Sequence, residues 1–487
     1  MNPLRSTGGI NIGDIICDSY IDGFGNDWCN GISVVTIGSG AMSQVYGAGQ
    51  SSGPGLPLTA FGSSYLQGFA GVWDGFIFRL NGGNNLEWLT YVGGDSFDFI
   101  TDIALRPALN AKNPIVVGSS ESDDSGDINM VPTDGGFPHY DVAGGYNAAD
   151  PDGGFGDHFI AEFEGLLLTP NWINKFGGAS IELHGNDYES PSVDVRQSNG
   201  EVYIAGTYSV DAAFPLTTSL AGGTYNQGVV TTTGPGNENG YIARFNGNND
   251  LTWCSSFGGD GTDNEITDIL VTDDGVFICG NSDLSGIATA TPCTVPSSGE
   301  FPYCNLSGDN YTETNATIDR MFLAKFDFMD NLSWSTAFGD NVGNNLRGMD
   351  ANSSDLYISG VTGPNNTLWE YDTGSPLDYY RITNSTNDDA TIARFDLNFT
   401  VGVEDYAQNE LNIIVYPNPT NDLATIGWGL ANIETVKIYN SIGQLLMTNT
   451  VKGETTEVNF SGYTNGLYYI ILVDQSGMTY NSELIKH

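Results

Sequence analysis

The sequence reads Tyr241-Ile-Ala-Arg-Phe245, a turn of Asn and Gly, and then Leu251-Thr-Trp-Cys-Ser-Ser-Phe-Gly-Gly259. After a short Asp-rich link come Ile266-Thr-Asp-Ile-Leu-Val271 and Val276-Phe-Ile-Cys-Gly280. Each segment is short, alternates apolar with polar residues and is bounded by Gly, Asn or Asp, which is typical of β-strands. The stretch therefore predicts four strands joined by tight turns.

The first of these segments recurs roughly every eighty residues, a period that indicates a repeat architecture. Its other copies are Phe76-Ile-Phe-Arg-Leu80, Phe159-Ile-Ala-Glu-Phe163, Phe322-Leu-Ala-Lys-Phe326 and Thr391-Ile-Ala-Arg-Phe395. A tryptophan follows each of the first four copies, at Trp88, Trp172, Trp253 and Trp334. Repeats of four strands predict the blades of a β-propeller, which we assign to residues 1–400.

Five blades are predicted, because five first strands can be read along the chain. We expect them at Ile32–Thr36, Phe99–Leu105, Ser192–Arg196, Ile266–Val271 and Leu346–Asp350. The fifth copy, ending at Phe395, has no Trp-bearing strand after it. The N-terminal segment Ile15-Ile-Cys-Asp-Ser-Tyr20 aligns with that missing strand. We expect it to complete the fifth blade and close the ring, which removes exposed sheet edges.

These elements resemble the SBBP family of β-propeller repeats. The resemblance rests on the FxAKF strand, the Trp-containing strand ending in Gly-Gly, the GxVYxxG strand and a Phe-Pro loop such as Phe214-Pro215. It covers roughly residues 10–400 and implies a fold more than a function.

The composition changes from Asn412, after a predicted linker over residues 401–411. Short alternating runs such as Val436-Lys-Ile-Tyr439 and Gly466-Leu-Tyr-Tyr-Ile-Ile-Leu-Val473 follow. About seven such runs predict a small antiparallel β-sandwich of the immunoglobulin kind over residues 412–487.

Four motifs in this segment resemble the type A sorting domain of the type IX secretion system of Bacteroidetes. They are Tyr-Pro-Asn-Pro, Ile-Tyr-Asn-x-x-Gly-Gln, Asn-Gly-Leu-Tyr-Tyr and a terminal Leu-Ile-Lys. The resemblance implies recognition by the outer-membrane translocon, followed by removal of the domain and anchoring to, or release from, the cell surface. By transfer, recognition would be carried by Tyr416, Pro417, Asn418, Pro419, Gly443, Gly466, Tyr468 and Lys486.

The chain is strongly acidic, with 15 basic against 59 acidic residues and a formal charge of −44. Such a charge repels nucleic acid and anionic lipid, so we exclude both as partners. No run is apolar for long enough to span a membrane. The N-terminal Met1-Asn-Pro-Leu-Arg5 lacks the hydrophobic core of a signal peptide, so we expect a removed signal or a fragment.

The six cysteines can form disulfides in an oxidising compartment. Cys293 and Cys304 flank a Pro-containing loop, and Cys17 and Cys29 lie near the N-terminus. Two loop-closing disulfides are therefore predicted. No Cys or His spacing indicates zinc.

The best candidate for chemistry is an acidic set on the first strands, formed by Asp102, Asp194, Asp268 and Asp350. First strands line the channel of a propeller, so these carboxylates predict a ring. Their mutual repulsion would be relieved by a cation, and oxygen ligands favour calcium. The alternative is that each aspartate caps backbone amides within its own blade.

A glycosidase would need a carboxylate pair flanking the bond to be cleaved. Glu189 and Glu265 stand just before first strands and are candidate acids beside Asp194 and Asp268. These carboxylates repeat with the blades, however, whereas catalysis requires residues that break the repeat. The sequence therefore favours a protein that is not an enzyme.

Aromatic residues between the second and third strands suit sugar stacking or protein contact, or else pack their own loops onto the disc. They are Tyr140, Tyr146, Tyr225, Tyr303, Tyr311, Trp369, Tyr371, Tyr379 and Tyr380. We predict an exported propeller that binds a glycan or a protein at the cell surface. Self-assembly into a surface layer is a structural variant, and a secreted glycan-degrading enzyme is the alternative.

Overall fold

The computed structural model is all-β: its described residues form β-strands and turns and no helix. It describes residues 21–36, 43–108, 111–124, 129–143, 145–147, 156–178, 190–209, 214–229, 238–259, 264–282, 293–296, 301–304, 320–338, 345–352, 354–362, 389–396, 413–428, 433–441, 444–453, 455–474 and 479–487. The chain divides into two compact units, Met1–Phe399 and Thr400–His487. The predicted linker over residues 401–411 lies outside the described residues.

The first unit contains five antiparallel sheets, each built from strands that are consecutive in the chain. The first two sheets are formed by β1 (Asp27–Thr36), β2 (Ser43–Ser51), β3 (Asp74–Leu80) and β4 (Leu86–Val92), and by β5 (Asp98–Ala108), β6 (Ala111–Ser120), β7 (Asp157–Phe163) and β8 (Pro170–Phe176). The third and fourth are formed by β9 (Ser192–Val195), β10 (Val202–Ser209), β11 (Glu238–Phe245) and β12 (Leu251–Phe257), and by β13 (Asn264–Thr272), β14 (Gly275–Ser282), β15 (Arg320–Phe326) and β16 (Leu332–Phe338).

The fifth sheet differs from the others because three strands form it in the described part of the chain. They are β17 (Asn345–Ala351), β18 (Asp355–Thr362) and β19 (Asp389–Asp396). The N-terminal segment expected to supply the fourth strand, residues 15–20, lies outside the described residues. Closure by that segment therefore stays a prediction.

Successive sheets pack against one another through an apolar face on each side. The first strands follow one another in contact, in the order β1, β5, β9, β13 and β17. The repeat tryptophan of one sheet lies against the motif phenylalanine of the next, with ring centroids about 5–6 Å apart. The pairs are Trp88–Phe163 at 5.3 Å, Trp172–Phe245 at 5.2 Å, Trp253–Phe326 at 5.4 Å and Trp334–Phe395 at 6.1 Å. Such edge contacts add to the free energy gained from burial.

In one cross-strand pair, the second strand of the other sheets carries a large residue and the third strand a small one, whereas the first sheet has the opposite arrangement. In the third sheet the pair is Ile204 on β10 and Ala243 on β11. In the first sheet the corresponding pair is Gly47 and Phe78. A Cβ on Gly47 would lie 2.4 Å from the Phe78 ring, so that ring occupies the space of the missing side chain. The pair Gly47 and Phe78 therefore fills about the same space as the pair Ile204 and Ala243, although both residues differ.

The second unit consists of two antiparallel sheets around one apolar core. One sheet has the order β20-β21-β24 and the other β23-β22-β25-β26. The strands are β20 (Ile414–Tyr416), β21 (Leu423–Gly427), β22 (Ile433–Asn440), β23 (Leu445–Thr450), β24 (Thr455–Asn459), β25 (Gly466–Asp474) and β26 (Thr479–Lys486). Both sheets contribute to the core, for example Ile426, Trp428, Ile438 and Ile470.

Candidate functional site

Two of the four predicted aspartates, Asp102 and Asp268, lie at one register position on the first strands. Asp102 pairs with Val117 and Asp268 pairs with Cys279, in each case directly after a β-bulge. In the third sheet this position is taken by Ser192 instead. The bulge rotates the following side chain relative to the regular alternation of the strand.

The other two aspartates lie two residues further along their strands. Asp194 pairs with Tyr203, and Asp350 pairs with Tyr357. The four carboxylates therefore occupy two register positions that alternate from sheet to sheet. The sequence places the four aspartates at similar positions of the first strands, and the offset of two residues between the two positions is not visible in strand spacing.

Each aspartate accepts a hydrogen bond from the backbone N–H of the residue that follows it. The Oδ1 distances are 2.7 Å for Asp102, 2.7 Å for Asp194, 2.8 Å for Asp268 and 2.8 Å for Asp350. For three of them, Oδ2 accepts a second bond from the next sheet. The donors are the N–H groups of Val193 to Asp102 at 2.9 Å, Val271 to Asp194 at 2.7 Å and Met349 to Asp268 at 2.6 Å. The carboxylates thus tie consecutive first strands together.

The hydroxyl of Ser192 lies between two of these carboxylates. Its Oγ is 2.6 Å from Oδ2 of Asp102 and 3.0 Å from Oδ1 of Asp268. One hydroxyl donates a single proton, so both contacts are hydrogen bonds only when one carboxyl is protonated. Burial, and after it the nearby Asp102 charge, raise the pKa of Asp268 to about 7. Burial also raises the pKa of Asp102, and raises that of Asp194 to about 6.

Backbone N–H groups satisfy both carboxylate oxygens of Asp102, Asp194 and Asp268, from their own strand and, beyond the capping expected within one blade, from the next sheet. Within the described residues, no group of three or more His, Cys, Asp or Glu side chains is placed to hold a metal ion. The calcium site stays a prediction. Of the candidate acids, Glu265 lies half-buried on β13, and Glu189 lies outside the described residues.

The aromatic residues of the long links contribute to packing where the structure describes them. Trp172 Nε1 donates to the carbonyl of Tyr146 at 2.8 Å, and Trp253 Nε1 donates to that of Tyr225 at 3.0 Å. Tyr225 is fully buried. These contacts fix the links onto the sheets. Tyr311, Trp369, Tyr371, Tyr379 and Tyr380 lie outside the described residues.

The cysteines divide into one bonded pair and free thiols. A disulfide joins Cys293 and Cys304, whose Cα atoms are 4.8 Å apart. Cys254 and Cys279 are buried and carry free thiols, and Cys29 is exposed. Cys17, its predicted partner, lies outside the described residues, so that pairing stays a prediction.

The Tyr-Pro-Asn-Pro motif of the second unit forms an exposed strap beside the last strand. Tyr416 is 55% exposed. The side chain of Asn418 donates to the carbonyl of Glu483 at 2.8 Å and accepts from the N–H of Ile485 at 2.9 Å. The strap thus presents polar and ring surfaces to solvent while its backbone position is fixed.

The other motif residues of this unit that the structure describes belong to its interior or its turns. Tyr468 is only 2% exposed, packs against Phe460 and donates to the carbonyl of Thr464. Lys486 is buried, with Nζ 3.4 Å from the side-chain oxygen of Asn465. Gly466 has a φ of 153°, in the region that favours glycine. Gly443 lies outside the described residues.

A buried ion pair that we did not predict lies at the junction of the second and third sheets. Arg106 Nη1 lies 2.8 Å from Oε2 of Glu162, and both side chains are buried. The signal was present in the repeat. Glu162 stands where the other copies of the motif carry Arg79, Arg244, Lys325 and Arg394.

Comparison with known proteins identifies the second unit. Residues 414–487 match a family described as a secretion system C-terminal sorting domain. This confirms the type IX secretion sorting domain predicted from the four motifs. The tail marks the protein for export to the cell surface or beyond it. No helix in the described residues is long and apolar enough to cross a membrane.

A curated relative is similar over part of the chain. An endo-acting ulvan lyase of Formosa agariphila is 28% identical over 105 residues. The match covers 21% of this chain and 20% of the lyase, so the chain spans about a fifth of that relative.

Among solved structures, the phage phi92 endosialidase aligns at a TM-score of 0.32 and 10% identity, covering 94% of this chain and 76% of that one. PorZ, a surface component of the type-IX secretion system of Porphyromonas gingivalis, aligns at a TM-score of 0.15 and 12% identity, covering 93% and 75%. Neither likeness is close enough to carry an argument about fold or function.

Proposed function

We propose that this chain is a binding protein of the cell surface, exported by the type IX secretion system, whose first unit is a five-bladed β-propeller. The observation that carries the proposal is the pairing of a sorting tail at residues 414–487 with a repeated stack of four-stranded sheets. Such a stack offers a rigid scaffold for loops that bind a glycan or a protein. Self-assembly into a surface layer is a variant of the same role.

Ring closure in this proposal is supported by two apolar faces that lie exposed at the ends of the stack. Ile392 on β19 is 69% exposed, whereas Leu323 at the same register position of the fourth sheet is fully buried. Ile32 on β1 is 67% exposed, whereas its counterpart Ile103 is 5% exposed. Packing of these faces on each other would bury apolar surface and remove both ends.

Recognition by the translocon is assigned to the strap formed by Tyr416, Pro417, Asn418 and Pro419. Its exposure supports this assignment, because a receptor contacts residues that solvent also reaches. The buried Tyr468 and Lys486 are assigned a structural role. Their part in export is to keep the strap in position.

A binding role is favoured over catalysis by the hydrogen bonds of the aspartates. Asp102, Asp194 and Asp268 each accept backbone N–H groups on both oxygens. A catalytic carboxylate needs an oxygen free to meet the substrate. The similarity to an ulvan lyase keeps a secreted glycan-degrading enzyme as the second candidate.

One experiment separates the two candidates. The purified full chain is incubated with a panel of polysaccharides that includes ulvan, and both bound protein and released oligosaccharide are measured. We expect retention of the protein on at least one polysaccharide, or on intact cells, without release of fragments. Release of oligosaccharides in proportion to protein concentration would overturn the binding role in favour of the enzyme.

A further inference from the structure

A cavity of about 590 Å³ opens at the junction of the second and third sheets. Its volume lies within the range of ligand pockets, about 300–1,000 Å³. Its floor is formed by the buried Arg106 and Glu162. Its rim carries the amides of Asn171, Asn199 and Asn248.

The floor of the cavity is a rigid, electrically neutral network. Besides its ion pair with Glu162, Arg106 donates to the carbonyl of Gly200 at 2.7 Å and to the side-chain oxygen of Asn249 at 2.5 Å. Glu162 also accepts from Asn113 at 2.8 Å and from Asn249 at 3.1 Å. A pocket with polar groups held in fixed positions loses little entropy when a ligand binds.

At two other junctions, a phenylalanine ring covers a guanidinium. One guanidinium belongs to Arg79, at the motif position of Glu162, and the other to Arg196, which ends a first strand at the position of Arg106. The ring of Phe61 lies 4.5 Å from Arg79, at the junction of the first and second sheets. The ring of Phe328 lies 3.5 Å from Arg196, at the junction of the third and fourth. Cation–π contacts of this kind stabilise a buried guanidinium.

Among the described residues, the junction of the second and third sheets has no such ring. The turn position held by Phe328 in the fourth sheet is held by Gly247 in the third. The described residues that line the cavity include no aromatic side chain. The cavity is therefore the volume that a ring fills at the next junction, and a flat ligand with an apolar face would fit the same place.

The rim offers hydrogen bonds to such a ligand. In the described part of the chain, the side-chain amides of Asn171 and Asn248 have no hydrogen-bond partner in the protein. Each amide supplies both a donor and an acceptor, the combination that a sugar hydroxyl matches. Because Glu162 already neutralises Arg106 and the whole chain carries −44, an anionic sugar is disfavoured.

We propose that this cavity binds one pyranose ring of a neutral glycan, with the ring lying over Arg106 where the junction of the third and fourth sheets has Phe328 over Arg196. The proposal rests on the binding function proposed above and names its site and its ligand class. The hydroxyl groups of the sugar meet the amides of Asn171 and Asn248. Its C–H face takes the place of the aromatic ring.

The test is a substitution whose new side chain occupies the cavity and excludes a ligand. In Gly247→Phe the chain gains the ring found in the fourth sheet. Gly247 tolerates a Cβ, because the nearest atom to it would be the Asn199 carbonyl at 3.8 Å. The control is Ser198→Phe, which adds a ring to an exposed position of the neighbouring turn outside the cavity lining.

Binding of the full chain to cellohexaose, laminarihexaose and mannohexaose is measured by calorimetry, with ulvan oligosaccharides and a Phe-containing peptide as competing probes. We expect at least one neutral hexaose to bind, a loss of affinity of about tenfold or more in Gly247→Phe, and a smaller loss in Asn248→Ala. Ser198→Phe should bind as the parent chain does. Circular dichroism and thermal unfolding check that each variant is folded.

Three outcomes would overturn this proposal. The first is unchanged affinity of a folded Gly247→Phe variant for the hexaose. The second is tighter binding of ulvan oligosaccharides than of the neutral hexaoses. The third is that the Phe-containing peptide binds in the cavity and none of the sugars does. If the parent chain binds no hexaose but is retained on another polysaccharide or on cells, the cavity assignment fails and the proposed function stands. If it is retained on nothing, both fail.

Discussion

Leu323 and Ile392 hold the same register position in neighbouring sheets, and their surroundings differ completely. Leu323 on β15 is fully buried against the fifth sheet, whereas Ile392 on β19 is 69% exposed. Both residues are branched and apolar, so the residue type does not explain the difference. Burial at this position is decided by whether another sheet follows. The repeat therefore encodes an interface on both faces of every sheet, including the two at the ends.

The carboxylates of the first strands also differ between a sheet that is followed by another and the last sheet. Asp194 joins its own sheet to the next through the N–H of Val271. Asp350 holds the same register position in the fifth sheet. In the described part of the chain, it accepts a hydrogen bond from the N–H of Ala351 in its own strand. The counterpart of Val271 in the first sheet is Val34. Ring closure would bring Asp350 to the N–H of Val34.

The largest expected effect tests this comparison directly. Ile242→Ala should destabilise the first unit by about 2–5 kcal/mol, because Ile242 is fully buried between the third and fourth sheets. If the ring closes, Ile392→Ala should cost a similar amount. Urea unfolding of both variants, with unfolding followed by tryptophan fluorescence, gives the two values. A cost below about 1 kcal/mol for Ile392→Ala alone would contradict closure.

A second prediction concerns the pH dependence of the interior carboxylates. The pKa of Asp268 is raised to about 7 and that of Asp194 to about 6, above the value of 3.8 for an ordinary aspartate. The folded state therefore holds protons that the unfolded state has released. The stabilisation is complete below about pH 4 and is lost as the pH rises through 6 to 7, by up to about 7 kcal/mol for the two groups together at about 1.4 kcal/mol per pH unit.

Urea unfolding at several pH values between 4 and 8 measures this loss. Asp268→Asn serves as the matched variant, because asparagine does not titrate. Its absolute stability will also reflect the changed hydrogen bonds, so the slope against pH is the quantity to compare. A slope as steep as that of the parent chain would mean that Asp268 does not contribute to the pH dependence.

The smallest expected effect on stability distinguishes the strap from the core of the second unit. Tyr416→Ala should change the free energy of unfolding by less than about 0.5 kcal/mol, because the side chain is mostly exposed. We nevertheless expect export to stop in a host with a type IX secretion system, as measured by immunoblots of medium and cells. Leu423→Ala is the control, because Leu423 on β21 is 54% exposed and lies outside the four motifs. Normal export of Tyr416→Ala would contradict recognition through the strap.

Much of the fold could be predicted from the sequence. The segment Tyr241–Phe245 lies within β11, and Leu251–Phe257 is β12. Alternation of apolar and polar residues fixes such strands locally, and turn residues mark their ends. The sorting motifs were equally readable because they lie in a fixed order within one short segment.

The rest depended on contacts between segments that are distant in the chain. The register of Asp102 follows from a bulge opposite Val117 and Gly118, which pairing reveals and spacing does not. The cavity beside Arg106 depends on turns in two different sheets. In the sequence, the one sign of the cavity is Glu162, which stands where the other copies of the motif have Arg or Lys. A buried acid at this position requires a basic partner, which is Arg106.

The exchanged pair Gly47 and Phe78 bears on how such a repeat could diverge over evolutionary time. Changing glycine to isoleucine alone would drive the new side chain into the aromatic ring, and changing phenylalanine to alanine alone would leave a hole. Neither single step is neutral, so the two sites are expected to change together. The sheets of this repeat can therefore lose recognisable sequence similarity to one another while the shapes of their packing faces stay the same.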